Sequence, residues 1–175
     1  MKKPDQKIKT LTMSAFGLAL SVLSLILFRG PVSIASTFLI PAIIVLFSAN
    51  KLEGYALTSI GLLSVTLIFF PTQLVFVSSY VVLGLLLKLL AVSSKLKVKF
   101  NPIKFIIYTT ITSLVLFAGI RLTELIFLVP LHRMMVGISG GNPLVYAGIL
   151  LFEGLLVATC NFSILKLFMT RINHP

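Results

Sequence analysis

The chain has 175 residues, 58% of them hydrophobic and 11% charged, with a formal net charge of +11 and a mean hydropathy of +1.11. A soluble domain is about 45–50% apolar and about 25% charged, so this composition excludes an ordinary water-soluble globule: too little polar side chain remains to cover a surface. A membrane-crossing helix takes about 20 apolar residues, and the length holds six of them on short loops, with no room for a second, soluble domain.

Charge, proline and glycine divide the chain into six apolar segments. The first, about residues 10–28, stops at Arg29-Gly30-Pro31, and the second, about 32–49, stops at Asn50-Lys51. The third, about 54–70, ends at Pro71, and the fourth, about 73–92, follows almost without a loop, so the pair reads as a helical hairpin. After a basic stretch from Lys95 to Lys104 come the fifth, about 103–131, and the sixth, about 144–169. These last two are long enough to tilt, kink or protrude from a ~30 Å hydrocarbon layer. The expected fold is therefore an all-α integral membrane bundle of six transmembrane helices forming a single domain. Lys2 and Lys3 ahead of the first run, and the small residues of Ser33-Ile-Ala35 after it, imitate a secretion signal, but the run exceeds the usual ~7–15-residue signal core and reads as the first span.

Cytoplasmic loops retain Lys and Arg. With the N-terminus inside, six spans place Lys2, Lys3, Lys7, Lys9, Lys51, Lys88, Lys95, Lys97, Lys99, Lys104, Lys166 and Arg171 on the inner face and only Arg29 and Arg133 on the outer. Both termini are thus expected in the cytoplasm. The basic clusters serve topology and contact with anionic membrane lipid; with no soluble domain to present them, nucleic-acid binding is not expected. Cys160 is the single cysteine, so no internal disulfide forms. His132 and His174 are too far apart for a metal-ligand pattern, and neither a metal nor a cofactor is expected.

The most informative residues are the charges within the last two runs: Arg121 and Glu124 in the fifth and Glu153 in the sixth. A charge at membrane depth costs at least ~2.5 kcal/mol and marks a functional site by default. At 1.5 Å per residue, Arg121 lies roughly 15 Å below the outer end of its helix and Glu124 roughly 10 Å, while Glu153 lies roughly 14 Å down the returning helix. Arg121 and Glu124 share a helical face, and two helices joined by a short loop are neighbours, so the three side chains are expected to converge in the outer half of the membrane. The plain reading is a pair that locks two helices together. The functional reading is a cavity open to the outside, in which the one unpaired carboxylate meets a hydroxyl or amine on a small solute. The connecting loop from His132 to Pro143, with Arg133, Asn142 and three glycines, has the composition of a mobile lid. Asn161, deeper in the sixth helix, either closes the floor of the cavity or bonds to a backbone carbonyl.

On helix one, small residues recur at fourfold spacing, Ala15 with Ala19 and Gly17 with Ser21, a device that admits close helix approach in lipid. It serves the chain's own bundle or a partner. No phosphate-binding loop, metal cluster or catalytic triad set occurs, so an enzyme is not expected.

Six short-looped helices, a Lys-rich start, Ala15-x-x-x-Ala19 on helix one and polar groups in the outer parts of helices five and six together resemble the substrate-binding S component of energy-coupling factor (ECF) transporters. The resemblance implies a prokaryotic plasma-membrane protein that captures a small water-soluble vitamin or precursor at its outer face. It implies partners too: a transmembrane coupling subunit, docked on Ala15 and Ala19, and two cytoplasmic ATPases that drive uptake. Arg121, Glu124, Glu153, His132, Arg133 and Asn142 would then lie near the substrate. Pantothenate, hydroxymethylpyrimidine and a pyridoxine-like compound are the candidates, pantothenate because Arg121 with Arg133 would suit its carboxylate. The alternative is a non-transporting membrane scaffold of the cell-shape or cell-wall machinery, with the buried charges serving assembly.

Overall fold

The computed structural model describes residues 4–28, 34–48, 52–91 and 101–172. Of the basic residues behind the expected orientation, Lys2, Lys3, Arg29, Lys51, Lys95, Lys97 and Lys99 lie outside them. The described residues form seven α-helices: α1 Pro4–Leu27, α2 Ile34–Phe47, α3 Leu52–Phe69, α4 Leu74–Ala91 (entered through a 3-10 turn at Pro71–Gln73), α5 Pro102–Phe127, α6 Leu131–Ile138 and α7 Pro143–Ile172. Five of them, α1, α3, α4 with its leading turn, α5 and α7, are long and apolar enough to cross a membrane. The all-helical, multi-span membrane architecture is therefore present.

The second apolar segment has a different character from the other five. The described part of α2, 14 residues, is about 21 Å long. None of its described side chains is exposed. It packs against α1, α3, α4 and α7, while α1–α3, α3–α4, α4–α5 and α5–α7 adjoin in sequence around it. A helix apolar on every side is a buried helix, and α2 is the hub of the bundle. Pro41 lies inside it, and the Pro41 carbonyl and Cα face Gly84 of α4.

The five outer helices are built inside out relative to a soluble protein. Their exposed faces carry Phe16, Ile60, Ile68, Leu89, Ile106 and Phe152, a surface that lipid solvates and water does not. Their inward faces carry Ser, Thr and Gly. Ser21, Thr58, Thr66, Thr112 and Ser113 each donate a hydrogen bond to the carbonyl four residues earlier, at 2.7–3.1 Å, so the hydroxyls are satisfied within their own helices. Small side chains then let backbones meet. A Cβ added to Gly17 would stand 2.7 Å from the Phe47 Cβ, and one added to Gly154 of α7 would stand 2.9 Å from the Thr109 carbonyl oxygen of α5. Gly17 and Ser21 thus belong to the bundle interior, whereas Ala15 and Ala19 are exposed on the opposite side of α1.

Two boundaries depart from the sequence expectation. Helix five ends at Phe127 rather than near residue 131, because Pro130 cannot continue a helix and disfavours helical geometry just before it; Leu128 leaves in the left-handed region at φ 56°. The stretch read as a loop contains a helix, α6. Its apolar residues Leu131, Met134, Met135 and Ile138 fall at i, i+3, i+4 and i+7, one face of a helix. The turn that follows is carried by Gly140 and Gly141 at φ 60° and 75°, values at which a Cβ is strained.

Candidate functional site

The polar residues of interest lie at the end of the bundle where α2, α4 and α7 begin and α5 finishes, under α6. Each position has a local cause. Pro130 starts α6 without a side-chain cap, leaving its first N–H groups without intrahelical partners. Glu124, one turn before the end of α5, supplies the acceptor: Oε2 receives the His132 N–H at 3.1 Å, and Oε1 stands 3.3 Å from Arg133 Nε. A carboxylate at a helix N-terminus is favoured by the helix dipole as well as by the hydrogen bond. His132 is held in turn by α7, its Nδ1 3.3 Å from the Tyr146 hydroxyl and its ring edge-on to Tyr146. Leu131 is buried among Leu116, Ile120, Tyr146 and Leu150. By these contacts α6 is fastened across the bundle.

The three charges do not converge. Glu124 is engaged with His132 and Arg133. Arg121 is exposed, its guanidinium 5.8 Å from the centre of the Phe117 ring, and among the described residues it has no ion pair. Arg121, Glu124 and Arg133 line an open notch with Leu125, Leu128 and Pro130. Glu153 instead lines a separate cavity of about 140 Å³ with Thr37, Phe76, Tyr80, Leu116, Ile120, Leu131, Met134, Met135 and Ile138. The divergence is angular: equal depth on adjacent helices does not decide which way a side chain turns, and α6, absent from the expectation, takes Glu124 for itself.

The cavity is the more enclosed of the two spaces. Thr37 donates to the Tyr80 hydroxyl at 3.1 Å, tying the hub helix to α4 along its wall. Its roof is the apolar face of α6, with Met134 and Ile138 exposed at the rim. One water needs roughly 10–15 Å³, so there is room for a small molecule. Glu153 is its one charged lining residue, and among the described residues no side chain or backbone group forms a hydrogen bond or ion pair with it.

The remaining expected residues have structural engagements. Asn142 caps α7, accepting the Leu144 N–H at 2.9 Å, and lines neither space. His132 packs on Tyr146 and does not line the cavity. Asn161 is fully buried and bonds the Tyr108 hydroxyl at 3.4 Å rather than a backbone carbonyl. Both arginines that suited a carboxylate ligand lie outside the cavity, which removes the reason for preferring pantothenate. Among the described residues no group of His, Cys, Asp and Glu could hold a metal ion.

The chain matches no family model, no curated protein and no solved structure. Thr37 and Phe76 look like ordinary span residues until α2 is seen at the centre, and of the stretch expected as a lid, Met134 and Met135 do line the cavity, together with Leu131 just before it.

Proposed function

We propose that the protein crosses a prokaryotic plasma membrane six times with both termini in the cytoplasm, and that it is the substrate-capture subunit of an ECF-type importer, taking a small water-soluble vitamin or precursor from the outer side. The observation that carries this reading is the cavity beneath α6: a partly enclosed, mostly apolar space at one end of a membrane bundle, holding one unpartnered carboxylate and two hydroxyls. Small-molecule sites have this make-up, mostly apolar walls with a few placed polar groups. A helix locked into place only for assembly would instead leave its buried acid paired. The amphipathic α6 supports a covering role, since one face closes the cavity and its two ends are a proline break and a glycine turn. Exposure of Ala15 and Ala19 on α1 supports a docking role for that face toward a coupling subunit, with transport energy coming from partner ATPases.

Native mass spectrometry of the gently purified protein tests the proposal. The expected spectrum contains a small-molecule adduct lost on Glu153→Ala, and complexes with a membrane subunit and two ATPases. A ligand-free protein accompanied by cell-wall machinery would overturn it in favour of a scaffold.

A further inference from the structure

We infer that the solute held beneath α6 is a compact organic cation, a protonated amine on an apolar or aromatic body, with Glu153 as its counter-ion. The inference rests on the cavity being a capture site and adds the chemical class of what is captured.

The charge balance of the lining is the main ground. Ten residues line the cavity; one is acidic, none is basic, and seven are aliphatic, aromatic or thioether side chains without a hydrogen-bonding group. Glu153 lies ten residues into α7, roughly 15 Å from its start, where an ionised carboxylate needs a partner to offset its desolvation. The chain supplies none among the described residues: Arg133 is taken by Glu124, and Arg121 lies in the outer notch over Phe117. A ligand carboxylate or phosphate would add a second negative charge to a space without a donor cation. A neutral hydroxyl would give one hydrogen bond and leave the charge uncompensated. A protonated amine answers both conditions, with charge-assisted hydrogen bonds to Glu153.

The apolar part of the lining fits the rest of such a ligand. Phe76 and Tyr80 from α4 bring two aromatic rings to the lining, side chains whose π-systems attract a cation, and Met134 and Met135 from the roof offer soft, adaptable contacts to an apolar body. A volume of about 140 Å³ restricts the body to roughly one ring or a short chain.

The probes are para-fluorobenzylamine, para-fluorobenzyl alcohol and para-fluorobenzoate, near-isosteric and differing in charge. Binding to the purified full-length protein is followed by fluorine NMR, and the specific part is that abolished by Ile120→Phe, which adds bulk at the cavity wall and keeps the Glu153 carboxylate. Saturable binding of the amine is expected, weakened about tenfold or more by Glu153→Gln and retained by Glu153→Asp. The alcohol should bind more weakly and be indifferent to Glu153→Gln, and the benzoate should not bind. Equal affinity for alcohol and amine, or saturable binding of benzoate, would overturn the cation assignment and leave the capture reading standing. Failure of all three probes to bind would overturn both. The comparison of the three probes on the unmodified protein decides the question even where Glu153→Gln does not fold.

Discussion

The two acids of the α6 end serve opposite ends, and the difference lies in what each one touches. Glu124 has its carboxylate filled by the His132 N–H and the Arg133 guanidinium; Glu153 faces a cavity with no protein partner among the described residues. Glu124→Ala removes the acceptor for the first turn of α6 at a cost of about 1 kcal/mol, the usual loss for a helix cap. Hydrogen exchange across residues 131–138 should then quicken about fivefold, with the rest of the bundle unchanged; unaltered exchange in α6 would mean that Leu131 packing alone holds it. Tyr108→Phe is expected to destabilise by about 1–3 kcal/mol, because Asn161, fully buried and with Oδ1 already unpartnered, loses the one hydrogen bond shown for its amide nitrogen. A thermal unfolding midpoint equal to that of the unmodified protein would contradict this.

At the scale of elements, the seam between α5 and α7 positions Glu153. Gly154 follows it directly, and there the two helices approach until a side chain has no space: Thr109 O would lie 2.9 Å from an added Cβ. Gly154→Val should cost about 1–3 kcal/mol through overpacking and should turn Glu153 with it, so that stability and binding of the proposed amine ligand are expected to fall together. A variant that lost neither would show that the seam gives way freely. For α6 the sequence was legible in principle, since Leu131, Met134, Met135 and Ile138 repeat at helical spacing between Pro130 and the glycine turn. The glycines, read as marks of a loop, concealed it: two of the three do form the turn, whereas Gly137 lies inside the helix.

At the scale of the whole molecule, the topology turns on α2, which lies at the centre of the five long helices. Cysteines placed at Lys7, Lys104 and Ile138 on a Cys160→Ala background read the topology through an impermeant maleimide. Between Lys7 and Lys104 run α1, α2, α3 and α4; if all four cross, the two positions share a side. The expected result is labelling at Ile138 in intact cells and at Lys7 and Lys104 only after permeabilisation. Labelling of Lys7 and Lys104 from opposite sides would mean that α2 does not cross, and the reverse pattern would invert the orientation.

The sequence by itself determined the helical, membrane-type character of the chain, because hydropathy is summed over some 20 residues and depends on no neighbour. It also determined which residues were costly, since a charge within an apolar run is anomalous wherever it points. Only the tertiary structure decided how those charges were used. Whether Glu153 meets Arg121 or lines a separate cavity depends on the rotation of α5 against α7 and on the central place of α2, and those follow from close contacts at Gly17, Gly84 and Gly154 that no single-helix pattern contains. Sequence spacing sets depth along a helix; packing sets the direction a side chain faces.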